Sequence, residues 1–196
     1  MASNVPQDKS NGYEDVAERF ICVRNPRIGA ATVREWSKGL PGVASILDLG
    51  CGHGVPISET LIKDGFALYG VDASAKMITA YRGRFPTAYA ECSAAERSEF
   101  FRRTFDGVVA WGLVFLLPAD AQMTLIGKLA RALNPGGKFL FTSPQETATW
   151  LDSLTGHQSR SLGVKEYQRL LRTEGLKLVD EQRDEGANHY YLASKP

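Results

Sequence analysis

The segment Ile46-Leu47-Asp48-Leu49-Gly50-Cys51-Gly52-His53-Gly54-Val55-Pro56-Ile57 restricts the fold more than any other part of this chain. Ile46, Leu47 and Leu49 read as a buried strand interrupted by Asp48. Glycines follow at alternate positions 50, 52 and 54, and Pro56 suits the first turn of a helix because its missing N–H is not needed there. A strand, a glycine turn and a helix start make a bend without side chains. Such a bend lets a bound molecule approach the backbone and its N–H groups beside the positive end of a helix.

Ala67-Leu68-Tyr69-Gly70-Val71-Asp72 reads as the next parallel strand, ending in an acid. In open α/β sheets an acid at that place receives ribose hydroxyls, so the two segments together are stronger than a glycine turn alone. The glycine spacing discriminates between nucleotides. A nicotinamide dehydrogenase uses G-x-G-x-x-G, whereas this chain has G-x-G-x-G preceded by Asp48.

The run DLGCGHG resembles the first motif of the class I S-adenosylmethionine-dependent methyltransferases. The resemblance continues through GVDAS at Gly70–Ser74, FDGVVAWGLVFLL at Phe105–Leu117 and LARALNPGGKFLFTSP at Leu129–Pro144, in the family's order. It implies a Rossmann-like, doubly wound α/β sheet with helices on both faces. The implied order is 3-2-1-4-5-7-6, with the last strand antiparallel. It also implies S-adenosylmethionine as cofactor, S-adenosylhomocysteine as product, and transfer of a methyl group by in-line displacement.

Several residue roles follow from the resemblance. Asp48, Gly50, Cys51 and Gly52 form the cofactor loop, and Asp72 takes the ribose. Ala73 and Met77 border the adenosine. Cys92, Ser93 and Ala94 hold the adenine edge. Ala110 and Trp111 stand at the rim after the fourth strand, and Tyr13 and Arg24 approach the methionine end. Each has a plainer alternative. Met77 and Trp111 suit a core, Tyr13 suits packing, and Arg24 suits a solvated surface. Ser93 with Glu96 makes a capping-box pattern for a helix. No metal ligands are expected.

In chain order, residues 1–10 read as a disordered polar tail and 11–196 as one methyltransferase domain. Within it, 11–42 supply cap helices, 43–142 the cofactor core, 143–163 a long irregular acceptor loop, and 164–196 a helix and a hairpin. Acceptor contacts are expected from Trp111, Phe115, Trp150, His157 and Arg160. Of the three histidines, His157 is the candidate base; His53 is expected to shape the loop and His189 to pack in the final hairpin. After the fourth strand the chain lacks the acid and histidine of many small-molecule enzymes. It also lacks the Asn/Asp-Pro-Pro-aromatic signature of enzymes that methylate bases.

A formal net charge of +1 argues against a general polyanion binder, so no nucleic-acid partner is expected. No apolar run reaches membrane length, and the first residues have no signal-peptide core. Three widely spaced cysteines fit a reducing cytoplasm. The reading is a cytoplasmic methyltransferase of a small-molecule acceptor, monomeric or homodimeric. The alternative is a catalytically silent module that binds the cofactor or its product and acts through a protein partner.

Overall fold

The computed structural model describes residues 8–196. In chain order the elements are α1 (Tyr13–Val23), α2 (Ala30–Ser37), β1 (Ser45–Leu49), α3 (Ile57–Lys63), β2 (Ala67–Asp72), α4 (Ala75–Arg84), β3 (Tyr89–Cys92) and β4 (Phe105–Ala110). They continue with α5 (Ala119–Ala132), β5 (Leu133–Thr142), β6 (Ala148–Leu151), β7 (Gln158–Ser161), α6 (Val164–Thr173), β8 (Lys177–Arg183) and β9 (His189–Ser194).

Strand β1 is buried along its whole length and lies between β2 and β4, both parallel to it. The sheet order is β3-β2-β1-β4-β5-β9-β8, and β9 is antiparallel to both of its neighbours. This is the 3-2-1-4-5-7-6 arrangement, with the final strand inserted beside β5.

Alternation along the strands builds a core on each face. Leu47, Leu49, Val71, Val108, Phe139, Phe141 and Tyr191 pack with Leu125, Ile126 and Leu129 of α5 and with Tyr167 and Leu171 of α6. Ile46, Leu68, Val109, Leu140 and Tyr190 pack on the other face, with Val33 and Trp36 of α2 and Ile57 and Leu61 of α3. Each such side chain contributes roughly 1.5–3 kcal/mol when fully buried. The residues that do not fit this apolar alternation are concentrated where β1, β2 and β4 end.

Helix α1 belongs to neither layer. Glu14 Oε2 accepts the Ser74 hydroxyl (2.6 Å) and the Lys76 N–H (3.2 Å), which fixes α1 to the start of α4. Its first turn reaches the β6–β7 turn, where Tyr13 donates to Asp152 Oδ2 (3.0 Å). The helix therefore roofs the carboxyl ends of the central strands.

Four expectations need revision. Residues 1–7 of the expected tail lie outside the described residues. Residues 8–10 are not tail: Ser10 is buried, and its hydroxyl accepts the Glu14 N–H at 2.9 Å. The irregular acceptor loop contains an antiparallel hairpin, β6–β7, pairing Ala148 with Ser161 and Leu151 with Gln158. The Ser93/Glu96 capping box does not form. No helix starts there, and Ser93 Oγ turns to the Ala94 carbonyl. Instead Lys128 Nζ donates to the carbonyls of Ala95, Glu96 and Ser98 and braces a turn. Finally, Asn134-Pro135-Gly136-Gly137, which by sequence ends a helix and turns the chain into the fifth strand, lies within β5 itself.

Candidate functional site

A cavity lies under α1 at the carboxyl ends of β1, β2 and β4. Its floor is the glycine loop. Gly50, Gly52 and Gly54 all have positive φ, and two of them also lack room for a side chain. A Cβ on Gly50 would stand 2.9 Å from Leu113 Cβ, and one on Gly54 would stand 2.3 Å from Phe85 Cε2. The loop's N–H groups are not the free donors that the sequence suggested. Those of Gly50 and Cys51 donate to the Val71 carbonyl (2.8 and 3.1 Å), and that of Gly52 to Asp72 Oδ2 (2.8 Å). What the loop offers a ligand is a surface without side chains.

Asp48 and Asp72 flank this floor. Asp48 is 2% exposed, and Oδ2 accepts the Ser58 hydroxyl at 2.6 Å; Ser58 also contacts the Tyr81 hydroxyl at 3.0 Å. Burial pushes the Asp48 carboxyl up to about 7, a rise that Asp72 reinforces and Ser58 opposes. Burial also raises Asp72, against the N–H donors of Ser74 and Gly52. Each Asp72 oxygen takes one N–H, at 2.8 Å, which leaves further acceptor capacity on both.

On the β4 side of the floor, Trp111 carries Arg24 on its face, with 3.6 Å from the guanidinium carbon to the ring centroid. Phe20 lies 5.4 Å from the same carbon. Trp111 Nε1 donates to Tyr190 Oη (2.6 Å), which donates to Asp184 Oδ2 (2.7 Å). Arg24 Nε is buried without a hydrogen-bond partner. Burial lowers Arg24 to about 10, so it stays charged at neutral pH. Arg24 is half-buried, and its sequestered Nε–H lacks an acceptor, a cost that an arriving anion removes.

The structure brings Tyr13, Arg24, Asp48, Gly50, Cys51, Gly52, Asp72, Ala73, Met77, Ser93, Trp111 and Phe115 to the cavity wall. It leaves six candidates off that wall. Cys92 is exposed at the end of β3, and Ala94 is buried in the following turn. Ala110 is fully buried as the last residue of β4. Trp150 instead packs against Phe115, with ring centroids 5.6 Å apart. His157 is exposed in the β6–β7 turn, beside Gly12. Arg160 donates to Gln158 Oε1 (3.0 Å).

The wall also holds residues that the sequence did not single out, among them Asn11, Phe20, Leu113 and Asp152, together with Glu96, which sequence reading took for a helix cap. Phe20 falls on the apolar stripe of α1, which was a legible signal. Nothing near Asp152 in the sequence points to Tyr13. His53 is 4% exposed on the wall, and burial and the Arg84 and Arg24 charges lower it to about 4, so the ring is neutral. Among the described residues no three His, Cys, Asp or Glu side chains are grouped to hold a metal, and no helix is long and apolar enough to cross a membrane.

Residues 46–137 match the model of the methyltransferase domain family. No curated protein matches the chain in sequence. Solved structures similar to it include the CcbJ methyltransferase of Streptomyces caelestis, 16% identical, with a TM-score of 0.76 over 96% of this chain and 98% of that one. The amino pentose methyltransferase CalS10 of Micromonospora echinaspora is 16% identical, with a TM-score of 0.73 over 93% and 96%. The 1,6-didemethyltoxoflavin-N1-methyltransferase of Burkholderia thailandensis is 20% identical, with a TM-score of 0.72 over 94% and 84%. At these identities the likeness is one of fold. Residues 46–137 thus match a methyltransferase domain, and the chain as a whole has the fold of S-adenosylmethionine-dependent methyltransferases.

Proposed function

We propose that the protein transfers a methyl group from S-adenosylmethionine to a small-molecule acceptor. The observation that carries this reading is the pair of opposite charges across the glycine loop. Arg24, half-buried and with its Nε short of a hydrogen bond, stands on the β4 side, and Asp72, with spare acceptor capacity, stands on the β2 side. Those residues fit a ligand with a carboxylate at one end and a ribose at the other. Among the similar structures, CalS10 holds S-adenosylmethionine and the toxoflavin enzyme holds S-adenosylhomocysteine.

In this reading Arg24 holds the methionine carboxylate, with Trp111 and Phe20 keeping water away from it. Asp48 faces the ammonium. Asp72 receives the ribose hydroxyls, Ala73 and Met77 border the nucleoside, and the turn from Ser93 to Glu96 closes the adenine end. When bound, the cofactor supplies a methyl group on a sulfonium, which a nucleophile displaces in line. The protein's part is to align the acceptor and exclude water. The apolar wall of Trp111, Leu113, Phe115 and Leu117 fits a compact acceptor better than a polymer. Three free cysteines fit a reducing cytoplasm.

Incubation with methyl-labelled cofactor and a fractionated small-molecule extract tests the assignment. Label should appear in a small molecule, and Asp72→Asn should abolish the transfer. Cofactor binding without transfer to any fraction would leave the silent binding module as the better reading.

A further inference from the structure

We propose that the acceptor is an amine, that Asp152 with Tyr13 forms the subsite for its ammonium group, and that the Asp152 carboxylate takes the proton whose loss frees the nitrogen lone pair to form the N–CH3 bond as the S–CH3 bond breaks and S-adenosylhomocysteine leaves. This rests on the methyltransferase reading above and deepens it. Four carboxyls line the cavity: Asp48, Asp72, Glu96 and Asp152. The first two flank the loop and are assigned to the ammonium and ribose of the cofactor. Glu96 lies in the turn at the adenine end. Asp152 remains, on the opposite side, in the hairpin turn against the first turn of α1.

Asp152 is held rigidly. Oδ1 accepts the N–H groups of Leu154 and Thr155 (both 2.9 Å), and Oδ2 accepts the Tyr13 hydroxyl (3.0 Å). Among the described residues it forms no ion pair. Apart from Arg24, the lining cation is Lys9, which is exposed at the rim. Tyr13 keeps its proton, because burial and the Asp152 charge push its ionisation far above neutrality. The pair therefore presents one negative charge and oxygen lone pairs, a surface that attracts N–H groups and repels carboxylates and phosphates.

Asn11 supplies a second, independent observation. It adopts a positive φ of 54°, and its amide Nδ2 is buried without a partner on the cavity wall. Nδ2 is a donor, so the ligand brings an acceptor to this place, separate from the ammonium that Asp152 takes. Between these groups and the loop the wall is apolar: Trp111, Leu113, Phe115, Leu116 and Leu117. The ligand chemistry that fits is a planar or aromatic body carrying a protonated amine.

Calorimetry on the S-adenosylhomocysteine-saturated protein tests this with 2-phenylethylamine, 2-phenylethanol and 3-phenylpropionate as probes. The amine should bind at least tenfold more tightly than either of the others. Asp152→Asn should remove that preference, and Tyr13→Phe, which leaves the turn's own hydrogen bonds in place, should weaken amine binding several-fold. Asp152→Asn should keep its affinity for S-adenosylhomocysteine. Equal or tighter binding of the alcohol or carboxylate, no detectable amine binding, or an amine preference that survives Asp152→Asn would overturn the proposal. Failure of the folded protein to bind S-adenosylhomocysteine would instead overturn the methyltransferase reading on which it rests.

Discussion

The guanidinium of Arg24 lies on the face of Trp111 at 3.6 Å, while the edge of the same indole is fixed through Tyr190 to Asp184. One aromatic ring thus links a cation from the end of α1 to an acid in the turn between β8 and β9. The arrangement holds Arg24 in place with no carboxylate against it. Cation–π contact at a desolvated site contributes up to about 2 kcal/mol, which offsets part of the burial cost and leaves the charge available to a ligand.

Arg24→Met should separate binding from stability. The variant loses a charge-assisted contact to the ligand carboxylate, about 1.5–3 kcal/mol, or roughly tenfold to a hundredfold in affinity. The ligand-free protein should melt no lower than the parent, because a half-buried charge whose Nε lacks an acceptor has been replaced by an apolar chain of similar length. Titration calorimetry and thermal melts of the same preparations check both outcomes.

Tyr190→Phe should lower both quantities. It leaves Trp111 Nε1 and Asp184 each short of a partner, at a cost of about 1–3 kcal/mol in urea unfolding. Because the platform under Arg24 loosens, S-adenosylhomocysteine affinity should also fall several-fold. A variant that is destabilised yet binds normally would show that Trp111 holds Arg24 without help from its edge.

Asp48 makes cofactor binding depend on pH. Its carboxyl ionises at 3.8 when solvated but at about 7 in the folded, empty site. Between those values the folded protein holds a proton that the unfolded chain has lost, so the empty protein loses stability as pH rises from about 4 to 7. An ammonium placed beside Asp48 favours its anion, so binding expels that proton. Affinity for S-adenosylhomocysteine should therefore strengthen as pH rises from 6 to 8. Calorimetry at pH 6.5 in buffers of different ionisation enthalpy should register proton release, and Asp48→Asn should remove it.

Gly54→Ala should damage the fold itself. The residue has a φ of 85°, and the new methyl would meet Phe85 at 2.3 Å and Tyr81 at 3.0 Å. Strain at a positive φ and overpacking each cost about 1–3 kcal/mol, so the unfolding midpoint should drop measurably even without ligand.

The sheet was legible because each core strand states its own role. Ile46–Leu49 and Phe105–Ala110 are runs of strand length, apolar but for Asp48 and Asp106, and Gly65 and Gly175, with positive φ, end α3 and α6 ahead of β2 and β8. Pairing between β5 and β9 followed from the family order. The β6–β7 hairpin was not legible, since the residues it buries are the small polar Ser159 and Ser161 and the rest are mainly Thr, Gln and Arg with one Trp and one Leu left partly exposed or exposed. The Ser93–Glu96 pattern misled because Lys128, distant in sequence, offers the turn's carbonyls a better partner than a helix would. Arg24 could be named from the resemblance, but its stacking on Trp111 could not. The Tyr13–Asp152 contact joins residues 139 positions apart and left no trace in either local sequence.

In the proposed function, Arg24 and Asp72 hold the two ends of S-adenosylmethionine and of its product across the glycine loop. Titration of the purified protein with S-adenosylhomocysteine, and separately with NAD, tests it most directly. The account predicts saturable one-site binding of S-adenosylhomocysteine, lost in an Arg24→Met/Asp72→Asn double variant, and no heat with NAD. A folded protein that ignores S-adenosylhomocysteine, or takes NAD in its place, would contradict it.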